Sequence, residues 1–495
     1  MQFGKFGLSF QKRKSPIIGI QSYFVRILAL VMGLLLLAIF FLFIGVDPIE
    51  LYLDLIEVNI RLFPSTLGIF ITLLILAVGL AIPFKARIDN IGAEGQYIMG
   101  TIAATGTAFT FPYLPPYILI PLMFINGFIA GAIWAIPVVI FRTKGGFQGS
   151  DVVVSFLMVF PALFIMEYLV SGPWRDPETG FTYSSRIPEA GQIPSLNEFL
   201  SGQIPIGLPF EIGGFPLYFN VPSFYVLLFV LTFIIILILY YLFIHDRPQS
   251  KNSDNEESQE VQRQRVKEAP NLKKILGAAI ILSGIVVIVF FIAEMIRLNK
   301  IFPDLIDDNF IIVLPFEIND KPIRWHLSPI HLTIFLGLLI AILSYYFLFR
   351  QEKGVPKTKI GYEINVTGKN QAAGKTAGMS FFKVALITMI LSGGFAGVAG
   401  VGEIAGNQLR LTPVSPGYGF TAIAVAYLGG LNPLGIIISA LFFAALFIGG
   451  NAIKLTQGLP GTALDLFAGT ILIFVLVAEF FLRYRLNFKI NRRSE

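Results

Sequence analysis

A chain of 495 residues with 55% hydrophobic residues, 14% charged residues and a mean hydropathy of +0.74 is too apolar for a soluble globular domain. Its net charge of +6 does not indicate nucleic acid as a partner, because the lysines and arginines sit in short clusters beside apolar runs, the pattern that orients membrane proteins. Cysteine is absent, which excludes a disulfide framework, a thiolate metal site and a cysteine nucleophile.

Repeated apolar runs of about 20 residues, each able to cross a ~30 Å hydrocarbon core, predict an all-α fold, a polytopic transmembrane helical bundle. The first run, 24–45, follows Lys12, Arg13 and Lys14. It is too long for the apolar core of a signal peptide and no small-residue cleavage site follows, so it reads as a retained span that starts in the cytoplasm. After an outer amphipathic loop, a second span, 66–84, returns to Lys85 and Arg87. NIGAEGQ, residues 90–96, opens a third run to 111, and a fourth span ends at Arg142 and Lys144. The fifth, 152–170, leads into a Pro- and Gly-rich acidic segment, 171–221, assigned to the outside.

A sixth span, 222–244, returns to the polar stretch 245–274, whose mixed charge and low hydrophobicity predict a flexible or partly helical cytoplasmic linker. A seventh, 275–296, reaches an outer loop with Asp304, Asp307, Asp308, Glu317 and Asp320. The eighth, 329–349, returns to Arg350, Lys353, Lys357 and Lys359. Beyond the polar stretch 361–379 lies a Gly-rich span, 381–401, whose Gly393, Gly394, Gly397 and Gly400 read as a helix-packing face rather than substrate contacts. The segment 420–429, broken by Gly and Pro on both sides, reads as a half-helix or a tilted crossing. Spans 434–451 and 462–481 bring the chain to Arg483, Arg485 and Lys489, so both termini are expected in the cytoplasm.

The stretch 361–379, GYEINVTGKNQAAGKTAGM, is small, polar and flanked by apolar runs. Its short side chains let a partner approach the backbone, and Lys369 and Lys375 offer charge, so it reads as a docking element. Gly374, Lys375 and Thr376 mimic the end of a phosphate-binding P-loop, but that motif needs Gly where Lys369 stands, and no strand leads into it. The chain is therefore not expected to bind ATP itself.

With Gly368, Asn370, Ala372, Ala373, Ala377 and Gly378, this stretch resembles the cytoplasmic helix by which permeases of bacterial ABC importers, in the nucleoside and simple-sugar branch, rest on their ATPase. NIGAEGQ is a second match. Tyr168 to Trp174, with Arg186, Pro188 and Pro194, is a third and is similar to the nucleoside branch. Pro416 to Tyr418 through Asn432 to Gly435 is a fourth. The sequence departs from the family at Ser150 and Asp151, where an Asn-Glu pair is usual.

The resemblance implies about ten core spans. It also makes 246–350 an insertion, a linker plus a two-helix hairpin, because Tyr240 to Phe243 and Tyr345 to Leu348 end similar spans on either side of it. The expected organisation is 1–245 as an N-terminal half with the outer loop 171–221, 246–350 as a cytoplasmic linker plus inserted hairpin, whose removal leaves uptake intact if the hairpin is peripheral, and 351–495 as the coupling helix and C-terminal half. The implied function is half of a nucleoside translocation path in the bacterial inner membrane. The implied partners are a cytoplasmic ABC ATPase, a second homologous permease chain and an extracytoplasmic solute-binding lipoprotein, with no cofactor and no nucleic acid.

Glu94 stands at or just inside a span, where a carboxylate costs roughly 2.5–3.5 kcal/mol at the centre. Either Asn90, Glu94 and Gln96 line the substrate pathway, or Glu94 caps a helix start while the glycines give close packing. A proton-coupled secondary transporter using Glu94 is the rival class, and a simple-sugar permease the rival substrate reading. Glu167, Glu294 and Glu479 lie near span ends and read as snorkelling or paired, and His245, His326 and His331 read as solvated loop residues without a metal arrangement.

Overall fold

The computed structural model describes residues 2–3, 6–13, 20–144, 150–196, 198, 210–212, 215–217, 311–318, 321–326, 328–352, 355–456 and 463–490. The expected sixth and seventh spans and the linker 245–274 lie outside the described residues, as do His245 and Glu294.

Apolar runs must satisfy their backbone groups internally in lipid, and here they do so as helices. In order these are α1 (Ile20–Phe43), α2 (Pro48–Arg61), α3 (Phe63–Lys85), α4 (Ala93–Thr110), α5 (Pro116–Lys144), α6 (Ser150–Leu157) and α7 (Val159–Ser171). Then follow α8 (Thr333–Ser344), α9 (Lys359–Lys369), α10 (Gln371–Thr376), α11 (Phe381–Glu403), α12 (Tyr418–Leu428), α13 (Pro433–Thr456) and α14 (Ala463–Arg483). Among the described residues, six helical segments are long and apolar enough to cross a membrane. α4 is not one of them, since Gly, Ala and Thr dilute its hydropathy, yet most of it is buried. Lipid-type exposure belongs instead to peripheral helices such as α1, where Phe24, Ile27 and Leu35 are exposed.

The stretch after the first span is a helix rather than a loop. Asp47 starts α2 by accepting from the Ile49 N–H at 2.8 Å, with Pro48 in the first turn. Four longer strands stand at the margins of the bundle: β1 (Phe6–Lys12), β2 (Ile311–Ile318), β3 (Lys321–His326) and β4 (Tyr484–Ile490). β2 and β3 form an antiparallel hairpin in the second acidic loop, and Trp325 donates to the Ile60 carbonyl at 2.7 Å. β1 pairs antiparallel with β4, Lys12 opposite Tyr484, which brings the two ends of the described chain to one face.

α3 is the central helix, 94% buried over its span, and α8, α11, α12 and α13 pack around it. The glycines of α11 meet those of α5: Gly393 lies on the Gly131 carbonyl and Gly397 on that of Gly127, each so close that an added Cβ would overlap it. Gly100 of α4 closes on Gly397 in the same way. Small residues four apart therefore create a seam of three touching backbones.

α8 departs from the expectation of a peripheral insert. Gly337 faces Ile75 of α3, Ala341 is fully buried, and the π turn Tyr345–Phe349 that ends α8 places Phe349 under Lys85, whose Nζ lies 5.6 Å from the ring centroid. Its apolar surface belongs to the core, so removing 247–350 would expose the central helix.

Candidate functional site

Between α3 and α4 the chain turns through residues 86–92, with Arg87 in the left-handed region at φ 57°. Asn90 donates to Gln96 Oε1 at 2.8 Å and to Ser392 Oγ, at the midpoint of α11, at 3.0 Å. Gln96 donates back to Asn90 Oδ1 at 3.0 Å, and the Gly92 N–H reaches the same oxygen at 3.2 Å. The two amides satisfy each other in a fully buried position.

Glu94 turns the other way. Its carboxylate accepts from the Gly419 N–H at 2.6 Å and from the Ser415 hydroxyl, at the start of α12. Gly417 at φ 76° turns the chain into that helix, and Gly419 lies so close to the Glu94 backbone that a Cβ would overlap it. Glu94 thus caps a helix start as the second sequence reading has it, but the helix is α12, more than 300 residues away, and the partners come from the fourth matched motif. A carboxylate at a helix N-terminus is stabilised by unpaired N–H groups and the helix dipole, which offsets its desolvation. α12 itself has 11 residues, about 16 Å and roughly half a crossing.

Sequence reasoning does not reach several neighbours. Asp151, at the departure from the family pattern, accepts from the Asp89 N–H at 2.9 Å and pairs with Arg142 at 3.3 Å, while Ser155 Oγ accepts from the Ile91 N–H at 3.1 Å. The turn is therefore braced from α6. Glu403 ends α11 fully inside the bundle, accepting from Thr72 at 2.8 Å, Gln408 at 3.2 Å and Asn407 at 3.3 Å. The signal was a lone carboxylate at the end of a glycine-rich apolar run. Tyr97 and Tyr418, with rings 6.4 Å apart edge to face, lie within electrostatic reach of both Glu94 and Glu403. Asn407, at the outer end of this group, is exposed.

His331 also departs from expectation. It is 1% exposed and its ring nitrogens have no hydrogen-bond partner among the described residues, because the chain before α8 folds onto Gly406 and the ring packs there. His326 is exposed. Glu479 pairs with Arg26 at 3.2 Å, and Glu167 is exposed on α7.

At the acidic face, the segment after α7 docks on the turn after α11. Trp174 packs edge to face on Phe109 at 5.7 Å and lies against Gly106, and the N–H groups of Ser184 and Ile187 donate to the Leu411 and Leu409 carbonyls, both at 2.9 Å. Asp176 pairs with Arg410, whose guanidinium also lies 4.9 Å from the centre of the Tyr183 ring. The Arg410 guanidinium holds the Asp176 carboxyl below its ordinary value of 3.8.

At the opposite, basic face the stretch 361–379 forms α9 and α10. Thr358 caps α9 by accepting from the Gly361 N–H at 3.2 Å, and Asn370 caps α10 by accepting from the Ala373 N–H at 3.1 Å. The six matched residues divide. Gly368 is buried against the Lys85 carbonyl at the end of α3, where a Cβ would overlap it. Ala372, Ala373, Ala377 and Gly378 are exposed, and Asn370 with them. One glycine fixes the element to the bundle; the rest face outward.

The family described as "Branched-chain amino acid transport system / permease component" matches residues 63–246 and 218–476. The chain is 26% identical to the glucose ABC transporter permease protein TsgB13 of Haloferax volcanii, over 91% of this chain and 86% of that one. It is 33% identical to the guanosine ABC transporter permease protein NupP of Bacillus subtilis, over 30% of this chain and 41% of that one. It is 32% identical to the nucleoside ABC transporter permease protein NupB of Lactococcus lactis, over 29% of this chain and 39% of that one. No solved structure matches the chain. A helical membrane bundle that carries the matched motifs at its centre and on its basic face belongs, with these relatives, to the branched-chain amino acid transport system / permease component family of ABC transporter permeases.

Proposed function

We propose that this permease forms one half of a nucleoside translocation path, the other half coming from a second, similar permease chain. A solute-binding lipoprotein delivers substrate at the acidic face, and a separate ATPase subunit docks at the basic face. Lys85, Arg142 and Lys369 support reading the basic face as the cytoplasmic one of a plasma membrane, and the β1–β4 pairing supports reading both ends of the described chain on one side of it. The observation that carries this reading is α10, a short helix that exposes Ala372 and Ala373 and follows directly on α9, which Gly368 holds to the central helix. Asn90, Glu94 and Gln96 serve the path by holding its broken helices in register rather than by touching substrate, since each is satisfied by internal partners.

Nucleosides are supported by the Tyr168–Trp174 segment and by the nucleoside and guanosine permeases among the relatives. A simple-sugar reading has its own support, the glucose permease aligned over nearly the whole chain. Uptake of labelled guanosine and labelled glucose by vesicles containing the assembled transporter separates them. The nucleoside reading expects guanosine uptake that is blocked by excess adenosine, unaffected by excess glucose and dependent on ATP. Glucose uptake alone overturns it in favour of the sugar. Uptake that ignores ATP and collapses with the proton gradient overturns the importer reading.

A further inference from the structure

Resting on the importer reading, we propose that α12 is the moving strut of the path and that the Phe84–Tyr427 ring stack is the joint through which the coupling element drives it. The two rings lie 5.2 Å apart at 18°, joining the end of α3 to the last turn of α12. At the other end of α12, Glu94 holds the first turn through Gly419 and Ser415. A single stretch, residues 84–94, thus grips both ends of one short helix. The coupling element touches that stretch at its base, where Gly368 sits on Lys85 and Ala86, the residues next to Phe84.

The backbone on either side of the strut adopts left-handed conformations. Gly417 at φ 76° precedes α12, and Gly430 at 72° and Leu431 at 52° follow it. Left-handed conformations in residues other than glycine are costly and occur where a structure holds strain for a purpose; Leu431 and Arg87, both here, are two of the three such residues described. A cavity of about 340 Å³ opens against the joint, lined by Phe84, Lys85, Arg87, Asp89, Tyr427 and Leu431, and leaves the stacked rings room to slide. A displacement of α9 carried through Lys85 therefore shifts the Tyr427 end of α12 at the ring stack while Glu94 holds its first turn.

The absence of cysteine from the chain makes the test direct. Phe84→Cys with Tyr427→Cys is assembled with the ATPase and binding protein and joined by a short bis-methanethiosulfonate linker, and cross-linking is scored by mass spectrometry. Uptake by the double variant should fall at least tenfold further on cross-linking and return on reduction, while each single cysteine variant, lowered by loss of its ring, should show no further change on the same treatment. In parallel, Tyr427→Phe should keep the ratio of substrate moved to ATP hydrolysed, and Tyr427→Ala should lower it several-fold. Full uptake by the cross-linked pair, failure of the pair to cross-link, or an unchanged ratio in Tyr427→Ala overturns the proposal. Loss of substrate-stimulated ATP hydrolysis in the unmodified assembly overturns the importer reading instead.

Discussion

Glu94 carries a carboxyl group into the bundle, and its two donors, Ser415 just before α12 and Gly419 in its first turn, are what make its burial tolerable. Glu94→Gln keeps an acceptor oxygen for them and should retain assembly and uptake within a few-fold, insensitive to collapse of the proton gradient. Glu94→Ala leaves the first turn of α12 uncapped and should cost about 1–3 kcal/mol, read as a lower melting temperature in detergent. A folded Glu94→Gln protein without uptake would instead favour proton coupling at this residue. At the acidic face, Asp176 follows ordinary linkage. Its carboxyl is depressed in the folded chain by Arg410, so the pair contributes stability above the ordinary aspartate value of 3.8 and loses it as pH falls below that. Thermal stability should therefore be level from neutral pH down to about 5 and drop toward pH 3, and Arg410→Gln should shrink that acid step.

The helices themselves were legible from runs of apolar residues, and the stretch 361–379 stands out by its small residues between two such runs. What the sequence hides is which glycine does which task. Gly397 and Gly368 look alike in a string, yet one meets the Gly127 carbonyl inside the bundle and the other holds α9 against the Lys85 carbonyl. Gly397→Leu should force α5 and α11 apart at a cost of about 1–3 kcal/mol or more, seen as loss of monodisperse protein on size exclusion. Likewise, a Glu in a membrane motif announces a cost but not its remedy, because the donors that satisfy Glu94 lie far along the chain and only the fold brings them together. The burial of His331 was unreadable for a similar reason: the surface that covers it is the turn at Gly406.

At the scale of the whole molecule, the bundle links two faces of opposite charge through α3, with the turns of the acidic face at one end of it and α9 and α10 at the other. α8 belongs to this frame, since Gly337 and Ala341 pack in the core beside α3. Deleting 247–350 should therefore abolish uptake and lower the yield of folded protein, measured by fluorescence-detected size exclusion of a tagged chain. Sequence similarity between the ends of two spans could not reveal that, because it says nothing of which of them touches the central helix. The division of the docking stretch gives the sharpest check of the account. Wild type, Ala373→Trp on the exposed side and Gly368→Trp on the buried side are purified from gently solubilised membranes, and co-purifying ATPase is measured. The expected result is that wild type brings down an ATPase, Ala373→Trp loses it while remaining monodisperse, and Gly368→Trp fails to fold normally. A folded Ala373→Trp that retains the ATPase at the wild-type level would contradict docking on α10.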